Sequence, residues 1–247
     1  MGQIVGLIAG FAAVGLGATA KGVLGFGFPL ITVPLLAGLL GARPAVLVAA
    51  IPAFLANLLI LRTTRRHPLQ PWFLRMAAAV LVGAVAGALL FSRLPVRALT
   101  LGLGIVTLAL IFGLGRGPRS EATRARLRAW GAPFGLAVGV LGGATDISGP
   151  GLVAFLSAIE REPDRFLFSL MILYVILNLS QITTLVSTGA YTPPLLLAAA
   201  AACVPMAVGV QIGARVRARL ASETFRRLVL AVVVISALNL GRQGLMG

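Results

Sequence analysis

Two ionisable residues lie inside long apolar stretches of this 247-residue sequence. Lys21, in GATAKGVLGFG (17–27), is the only lysine, because the other 20 of the 21 basic residues are arginines. Asp146, in GGATDISGPG (142–151), is the only acid in an apolar stretch. An ammonium group attracts anions, and a carboxyl group can carry a proton. The pair therefore indicates binding of a small anion by Lys21, coupled to proton transfer by Asp146.

Small and polar residues follow both charges. Gly22 and Gly25 come after Lys21, and Ser148 and Gly149 come after Asp146. Backbone N–H groups at the start of a helix lack partners and carry positive partial charge, so they bind anions. Asp146 is the candidate for proton coupling. The predicted substrate contacts are Thr19, Lys21, Gly22, Gly25, Gly27, Asn57, Thr145, Ser148, Gly149, Gly151, Asn178 and Gln181.

Three other interpretations of these polar residues stay open. Lys21 and Asp146 could form a structural ion pair with no role in binding. Lys21 could instead lie near a membrane surface and extend its ammonium group to water. Asn57, Asn178 and Gln181 could make hydrogen bonds between helices rather than line a substrate path.

The composition places these residues in a membrane. The chain is 59% hydrophobic and 11% charged, with a mean hydropathy of +1.02. Apolar stretches recur from end to end, which predicts an all-α polytopic protein surrounded by a lipid bilayer. The net charge of +15 comes from arginines in short segments flanking those stretches. That placement is typical of membrane orientation signals and disfavours a nucleic-acid partner.

The residues that hold metals or form disulfides are nearly absent. Cys203 is the only cysteine and His67 the only histidine, so no disulfide or histidine metal cluster can form within one chain. We predict no metal and no cofactor. Asp146 has no second acid at its depth for acid–base catalysis, so an enzyme is disfavoured.

The apolar stretches divide into spans and hairpins. Two regions, 4–40 and 131–159, each contain two short legs interrupted by glycines, and we interpret them as re-entrant or broken helical hairpins. Their legs are 4–18 with 26–40, and 131–145 with 151–159. The first leg has no basic segment before it, so it is expected to be retained as a membrane segment. The predicted spans, each near the length that a bilayer requires, are 44–61, 72–92, 95–115, 166–188, 193–214 and 225–241.

The chain predicts an internal repeat. Residues 83–116 align without gaps on 209–242, which places Gly83 on Gly209 and Gly87 on Gly213. Asn57 and Asn178 follow the two hairpins at similar distances. The predicted organisation is repeat 1 (1–116), a basic linker (117–130) and repeat 2 (131–242), each repeat being a hairpin plus three spans.

The arginines predict the orientation. If neither hairpin crosses the bilayer, segments 62–75, 116–128, 161–165 and 215–227 share one face with 16 arginines, against 4 on the other face. Basic residues favour the cytoplasmic side. We therefore expect both termini outside, the linker 116–130 in the cytoplasm, and a multi-pass protein of a prokaryotic plasma (inner) membrane. Three crossings per repeat invert the second repeat relative to the first, and the two hairpin tips should meet at mid-depth.

The segment GLGATAKGVLGFGFPLITVPLLAGLLGARPA (15–45) resembles the opening hairpin of the TauE/SafE sulfite-exporter family. The family pattern is a glycine-rich run followed by an apolar run and P-x-L, matched here by Gly22, Gly25, Gly27, Pro34 and Leu36. The second copy, GVLGGATDISGPGLVAFL, keeps Gly142, Gly143, Gly149 and Gly151.

The resemblance implies proton-driven movement of sulfite, sulfonates or sulfoacetate-like anions across the membrane. Phe26 and Pro150 interrupt the family's triple glycine, and the second copy lacks the P-x-L that follows. Lys21 and Asp146 are not part of the general family pattern. The particular anion and the roles of those two residues are therefore not implied.

Other functions share several of these features. A passive anion channel would have the same charges and glycines, and a membrane scaffold or assembly factor would have the same spans. A homodimer also stays open. The sequence favours a secondary transporter of small organosulfur or sulfur oxyanions, because an inverted repeat with polar tips serves transport directly.

Overall fold

A computed structural model describes residues 2–90, 120–146 and 148–219 of the chain, without the side chains of 2–5 and 42. These residues form helices joined by short connections, with no strand among them. The helices are α1 (Gly2–Leu24), α2 (Phe28–Leu40), α3 (Ala42–Thr63), α4 (Pro71–Leu89), α5 (Glu121–Ala129), α6 (Gly131–Thr145), α7 (Gly149–Ile159), α8 (Pro163–Ser187) and α9 (Pro193–Ala218).

Five of the described helices are long and apolar enough to cross a membrane. They are α1, α3, α4, α8 and α9, judged by length and composition. The apolar helices α2, α6 and α7 have only 13, 15 and 11 residues, which is short for a hydrocarbon core of about 30 Å. The prediction of an all-α membrane protein is confirmed.

Four predicted spans coincide with α3, α4, α8 and α9, with ends shifted by up to four residues. The spans 95–115 and 225–241 lie outside the described residues. Both legs of the second hairpin are helices: 131–145 is α6, and α7 begins two residues before the predicted 151. The basic linker contains a short helix, α5, whose N-cap Ser120 accepts a hydrogen bond from the backbone N–H of Thr123.

The predicted first leg, 4–18, is wrong in length. α1 has 23 residues, so Thr19, Lys21 and Gly22 lie in helix instead of in a break. The glycines do not end this helix, because they let it pack against α9. A Cβ at Gly22 would lie only 2.6 Å from the Val210 carbonyl oxygen. Close helix packing outweighs the roughly 1 kcal/mol helix penalty of each glycine, and the helix ends only near Gly25.

The first leg of each hairpin packs against a helix of the other predicted half. α1 packs lengthwise on α9, and α6 packs lengthwise on α4. The backbone contact of Gly22 with Val210 has a counterpart, because a Cβ at Gly143 would collide with the Ala84 carbonyl oxygen. Gly143 lies 121 residues after Gly22, and Val210 lies 126 residues after Ala84. The same interface therefore recurs in both halves.

α3 and α8 cross in opposite directions. Asn57 Nδ2 donates to Asn178 Oδ1 at 2.7 Å, and the Tyr191 hydroxyl, just beyond α8, donates to the Leu47 carbonyl near the start of α3 at 3.0 Å. Asn57 and Asn178 are also 121 residues apart. Contact between equivalent residues of antiparallel helices supports the inverted repeat. The inversion and the repeat bounds stay predictions.

Several basic segments meet at one face of the described structure. Arg165 Nε lies 3.5 Å from Glu160 Oε2, and the His67 ring lies 5.9 Å from the Phe168 ring. Burial raises the pKa of Glu160, and the positive charges of Arg165, Arg128 and His67 oppose that rise. The described residues 62–75, 120–128 and 161–165 therefore converge at one face, which we call the arginine face. The membrane side that this arginine face adjoins stays a prediction.

Candidate functional site

The first leg of each hairpin, α1 and α6, ends with the same backbone turn. The Gly25 N–H donates to the Lys21 carbonyl at 2.7 Å, and the Asp146 N–H donates to the Gly142 carbonyl at 2.7 Å. Gly25 has φ 83° and Asp146 has φ 61°, so both are left-handed. Glycine adopts this conformation without strain, whereas an aspartate there is uncommon. The carboxylate of Asp146 is thus not needed for the turn, which points to another role.

The second leg of each hairpin begins beside these turns without a side-chain cap. α2 follows Gly27 and α7 follows Ser148, and neither N-cap residue makes a side-chain capping hydrogen bond. Pro29 and Pro150 occupy the second position of each helix. The first-turn N–H groups of a helix have no partner within the helix and carry positive partial charge. Two such helix starts therefore point positive potential towards the tips.

One cavity lies between the two tips. The space that the centre of a water molecule can occupy in this cavity is about 10 Å³, which is room for about one water. It adjoins Tyr174, which lies 11 residues after the start of α8 and 13 before its end, or about 17 and 20 Å along the helix. The cavity is thus at the middle of a helix long enough to span a bilayer. Its lining residues are Lys21, Gly27, Pro29, Leu30, Ala53, Asp146, Ser148, Gly149, Tyr174 and Asn178.

Lys21 and Asp146 share this cavity without forming an ion pair. Lys21 is 2% exposed and Asp146 4% exposed, so neither reaches the surface of the described structure. Among the described residues, no ion pair joins Lys21 to Asp146, whereas arginines pair with Glu121 and Glu160. Lys21 Nζ lies 4.9 Å from the centre of the Tyr174 ring, a cation–π contact. The direct ion pair and the surface position, both open from the sequence, are therefore not observed.

A chain of amides holds the Asp146 carboxylate. Asn57 Nδ2 donates to Asn178 Oδ1, and Asn178 Nδ2 donates to Asp146 Oδ1 at 2.8 Å. All three side chains are buried. Within the described part of the chain, Asp146 Oδ2 and the Tyr174 hydroxyl have no hydrogen-bond partner. The cavity thus contains one cation together with two buried oxygen atoms that are uncommitted.

Gln181 holds the second tip from outside the cavity. Its Nε2 donates to the carbonyls of Gly142 at 3.2 Å and Gly143 at 3.1 Å. Asn57 likewise contacts the protein and does not line the cavity. These two residues have the interhelical role that the sequence left open, and Asn178 combines this role with a place in the cavity wall.

The structure brings five of the twelve predicted substrate contacts, together with Asp146, to the cavity. Of the others, Thr19 donates to the Gly15 carbonyl and Thr145 to the Leu141 carbonyl, both within their own helices. Gly22, Gly25 and Gly151 are in packed backbone away from the lining. The predicted residues that do line the cavity are Lys21, Gly27, Asp146, Ser148, Gly149 and Asn178.

Among the lining residues that the sequence did not predict, Tyr174 is the one with a polar side chain; the others are Pro29, Leu30 and Ala53. Tyr174 lies four residues before Asn178 and seven before Gln181 on α8, a spacing that places all three on one helix face. This periodicity of polar side chains in an apolar span is the signal that could have identified it. A Cβ at Gly149 would lie 3.2 Å from the Tyr174 hydroxyl, so glycine leaves room for that group.

Comparison with models of known protein families assigns the chain to a family. The sequence model of the sulfite exporter TauE/SafE family matches residues 3–240, nearly the whole chain. The chain belongs to the TauE/SafE family. Comparison with curated proteins and with solved structures gave no match. TauE/SafE proteins are membrane transporters and not enzymes, and the five apolar helices agree with that class. Membership suggests a membrane exporter of sulfite or another anion.

Proposed function

We propose that this TauE/SafE protein is a secondary transporter of small sulfur oxyanions or organosulfonates, coupled to the proton gradient. The observation that carries the proposal is the buried ammonium of Lys21, which makes no direct ion pair with Asp146 in the described structure. It lies in a mid-depth cavity beside two helix starts that have no side-chain cap. A charge at this depth costs about 2.5–3.5 kcal/mol on insertion scales. A bound anion would offset that cost.

Each group has a role in this proposal. Lys21 would supply the positive charge that attracts the anion. The N–H groups at the starts of α2 and α7 would donate hydrogen bonds to its oxygens. Asp146 would carry the coupling proton, since its carboxylate shares the cavity with the ammonium. Asn178 would hold that carboxylate in place through the hydrogen bond to Oδ1.

The small cavity favours a carrier over an open channel. Room for about one water is too little for sulfite, so the anion would enter only when the tips separate. A carrier closes around its site between openings to the two sides, whereas a conducting channel needs a continuous pore. A passive channel would still differ in one measurable way, because it cannot move an anion against its gradient.

The experiment is sulfite flux into proteoliposomes under an imposed pH gradient. We expect sulfite to accumulate above equilibrium with the wild-type protein, and Lys21→Met to lose the flux while still inserting. Asp146→Asn should move sulfite without responding to the pH gradient. Asparagine tolerates the left-handed backbone, so it is a suitable replacement. Flux by Lys21→Met equal to that of the wild type would contradict the proposal, and downhill flux only would indicate a channel.

We also propose that the arginine face adjoins the cytoplasm of a prokaryotic plasma membrane, with both termini outside. The support is the convergence of the basic segments at one face together with the bias of basic residues to the cytoplasm. An alkaline phosphatase fused to the N-terminus should be active in whole cells, and one fused within 62–70 should be inactive. The opposite pattern would reverse the orientation.

A further inference from the structure

The Asp146 carboxylate has one committed oxygen and one uncommitted oxygen. Oδ1 accepts the hydrogen bond from Asn178 Nδ2, which is itself held by Asn57. Oδ2 is buried and has no partner among the described residues. A buried acceptor left unpaired costs about 1–3 kcal/mol, and more when it is charged. The cavity therefore lacks a hydrogen-bond donor beside Asp146.

Lys21 does not pair with that oxygen in the described structure, and its ammonium group also needs a partner. Its ammonium has three donors and no acceptor, and it makes no ion pair with Asp146 in the described structure. The aromatic face of Tyr174 supplies only a cation–π contact. The ligand that completes the cavity thus carries a negative oxygen for Lys21 and an O–H donor for Asp146 Oδ2.

We propose that the site selects oxyanions that carry one proton, such as hydrogen sulfite, over fully deprotonated dianions and over anions without a protonatable oxygen. This inference rests on the proposed function and narrows its substrate class to the sulfur oxyanions, because organosulfonates carry no protonatable oxygen near neutral pH. The proton lies in the hydrogen bond between an oxygen of the anion and Asp146 Oδ2. Each oxyanion therefore enters the site together with one proton.

The charges in the cavity explain the preference. With Lys21 as ammonium and Asp146 as carboxylate, the charged groups of the lining cancel. A dianion would place its second charge against the uncommitted carboxylate oxygen, and like charges in close contact disfavour binding. The other titratable groups whose charges interact with Asp146 are Tyr174 and Tyr191. Tyr191 already donates to the Leu47 carbonyl, and the Tyr174 hydroxyl is a second unpaired group that can donate or accept.

The test is the pH dependence of binding to the full-length protein in nanodiscs, measured for sulfite and for methanesulfonate. Methanesulfonate is a monoanion that carries no proton over the range used, so its charge stays constant. For the wild type we expect the affinity for total sulfite to fall about tenfold for each pH unit above its second pKa, because one proton is then taken up on binding. Methanesulfonate should bind at least tenfold more weakly than sulfite below that pKa.

The matched variant is Asp146→Asn. Its amide can donate to the anion, so dianionic sulfite should bind without a proton, the pH slope should disappear, and methanesulfonate should bind at least tenfold more tightly than to the wild type. Wild-type affinity for sulfite that is flat or rises above the second pKa would overturn the inference, and this result needs no variant. Retention of the slope in a folded Asp146→Asn protein would also overturn it. Absence of any binding by either anion would instead refute the proposed function.

Discussion

The Lys21→Met variant distinguishes two interpretations of Lys21, one in which it binds the anion and one in which it only stabilises the fold. A monovalent anion at about 4 Å from the ammonium gains about 4 kcal/mol at an effective dielectric constant of about 20. Part of that gain is offset by desolvation, so we expect Lys21→Met to weaken sulfite binding by about 2–4 kcal/mol, or about 30- to 1,000-fold. The side chain of methionine has a similar length, so packing near Tyr174 changes little.

The stability of the same variant makes the prediction specific. Lys21 makes no direct ion pair in the described structure, so replacing it breaks no such contact and should leave the melting temperature nearly unchanged. Breaking a buried structural ion pair would instead cost about 3–5 kcal/mol. The structural interpretation thus predicts a large loss of stability, and the anion-binding interpretation predicts almost none.

The assay is binding of radiolabelled sulfite to the protein in nanodiscs at one fixed pH, beside a thermal unfolding curve. Lys21→Arg is the charge-conserving control. It should keep part of the affinity, since the wide guanidinium does not fit a cavity with room for about one water. A Lys21→Met protein that binds sulfite as well as the wild type but unfolds several degrees earlier would refute the reasoning.

Three further predictions concern the packing and the arginine face. Gly143→Ala should lower the melting temperature by the equivalent of about 1–3 kcal/mol, because the new Cβ would collide with a backbone oxygen of α4. The control is Gly38→Ala, which should leave the melting temperature unchanged because the space around its Cβ is open. Equal melting temperatures for the two variants would contradict the close packing. Gln181→Ala should cost about 1–3 kcal/mol and weaken sulfite binding, because it removes the side-chain hydrogen bonds to two tip carbonyls. Thr183→Ala, at an exposed position, should do neither, and unchanged sulfite binding by Gln181→Ala would show that Gln181 does not position the tip. Burial raises the pKa of Glu160. The free energy of unfolding of the wild type should therefore fall as the pH rises from about 4 through the pKa of Glu160 in the folded protein, and this fall should be smaller in Glu160→Gln. An equally steep fall in the variant would show that other groups cause it.

The four spans that the structure describes were predictable because each is a long apolar stretch that begins at or within two residues of a proline. The second hairpin was predictable as well, since the glycines and Asp146 mark its turn. The first hairpin was not, because local propensity predicts a break at glycines whereas packing on α9 keeps α1 helical through Gly22. That contact joins residues almost 190 positions apart, and no local pattern reveals it.

The site was predictable in its charges and less so in its contacts. Lys21 and Asp146 are conspicuous because charges in apolar stretches are rare. Whether the two touch depends on distances of a few ångströms, which the sequence does not encode locally. Tyr174 was missed because a tyrosine within an apolar span is usually a packing residue. The Asn57–Asn178 hydrogen bond agrees with the repeat offset, but the sequence could not distinguish this bond from a substrate contact.

The most direct test of the anion site is an experimental structure of the protein with selenite, an oxyanion of the same shape as sulfite whose selenium scatters X-rays anomalously. We predict one selenium peak between the tips, with its oxygens within hydrogen-bond distance of Lys21 Nζ and Asp146 Oδ2, and no such peak in Lys21→Met crystals. A peak found only at the arginine face, with the cavity between Lys21 and Asp146 unchanged at saturating selenite, would contradict the account.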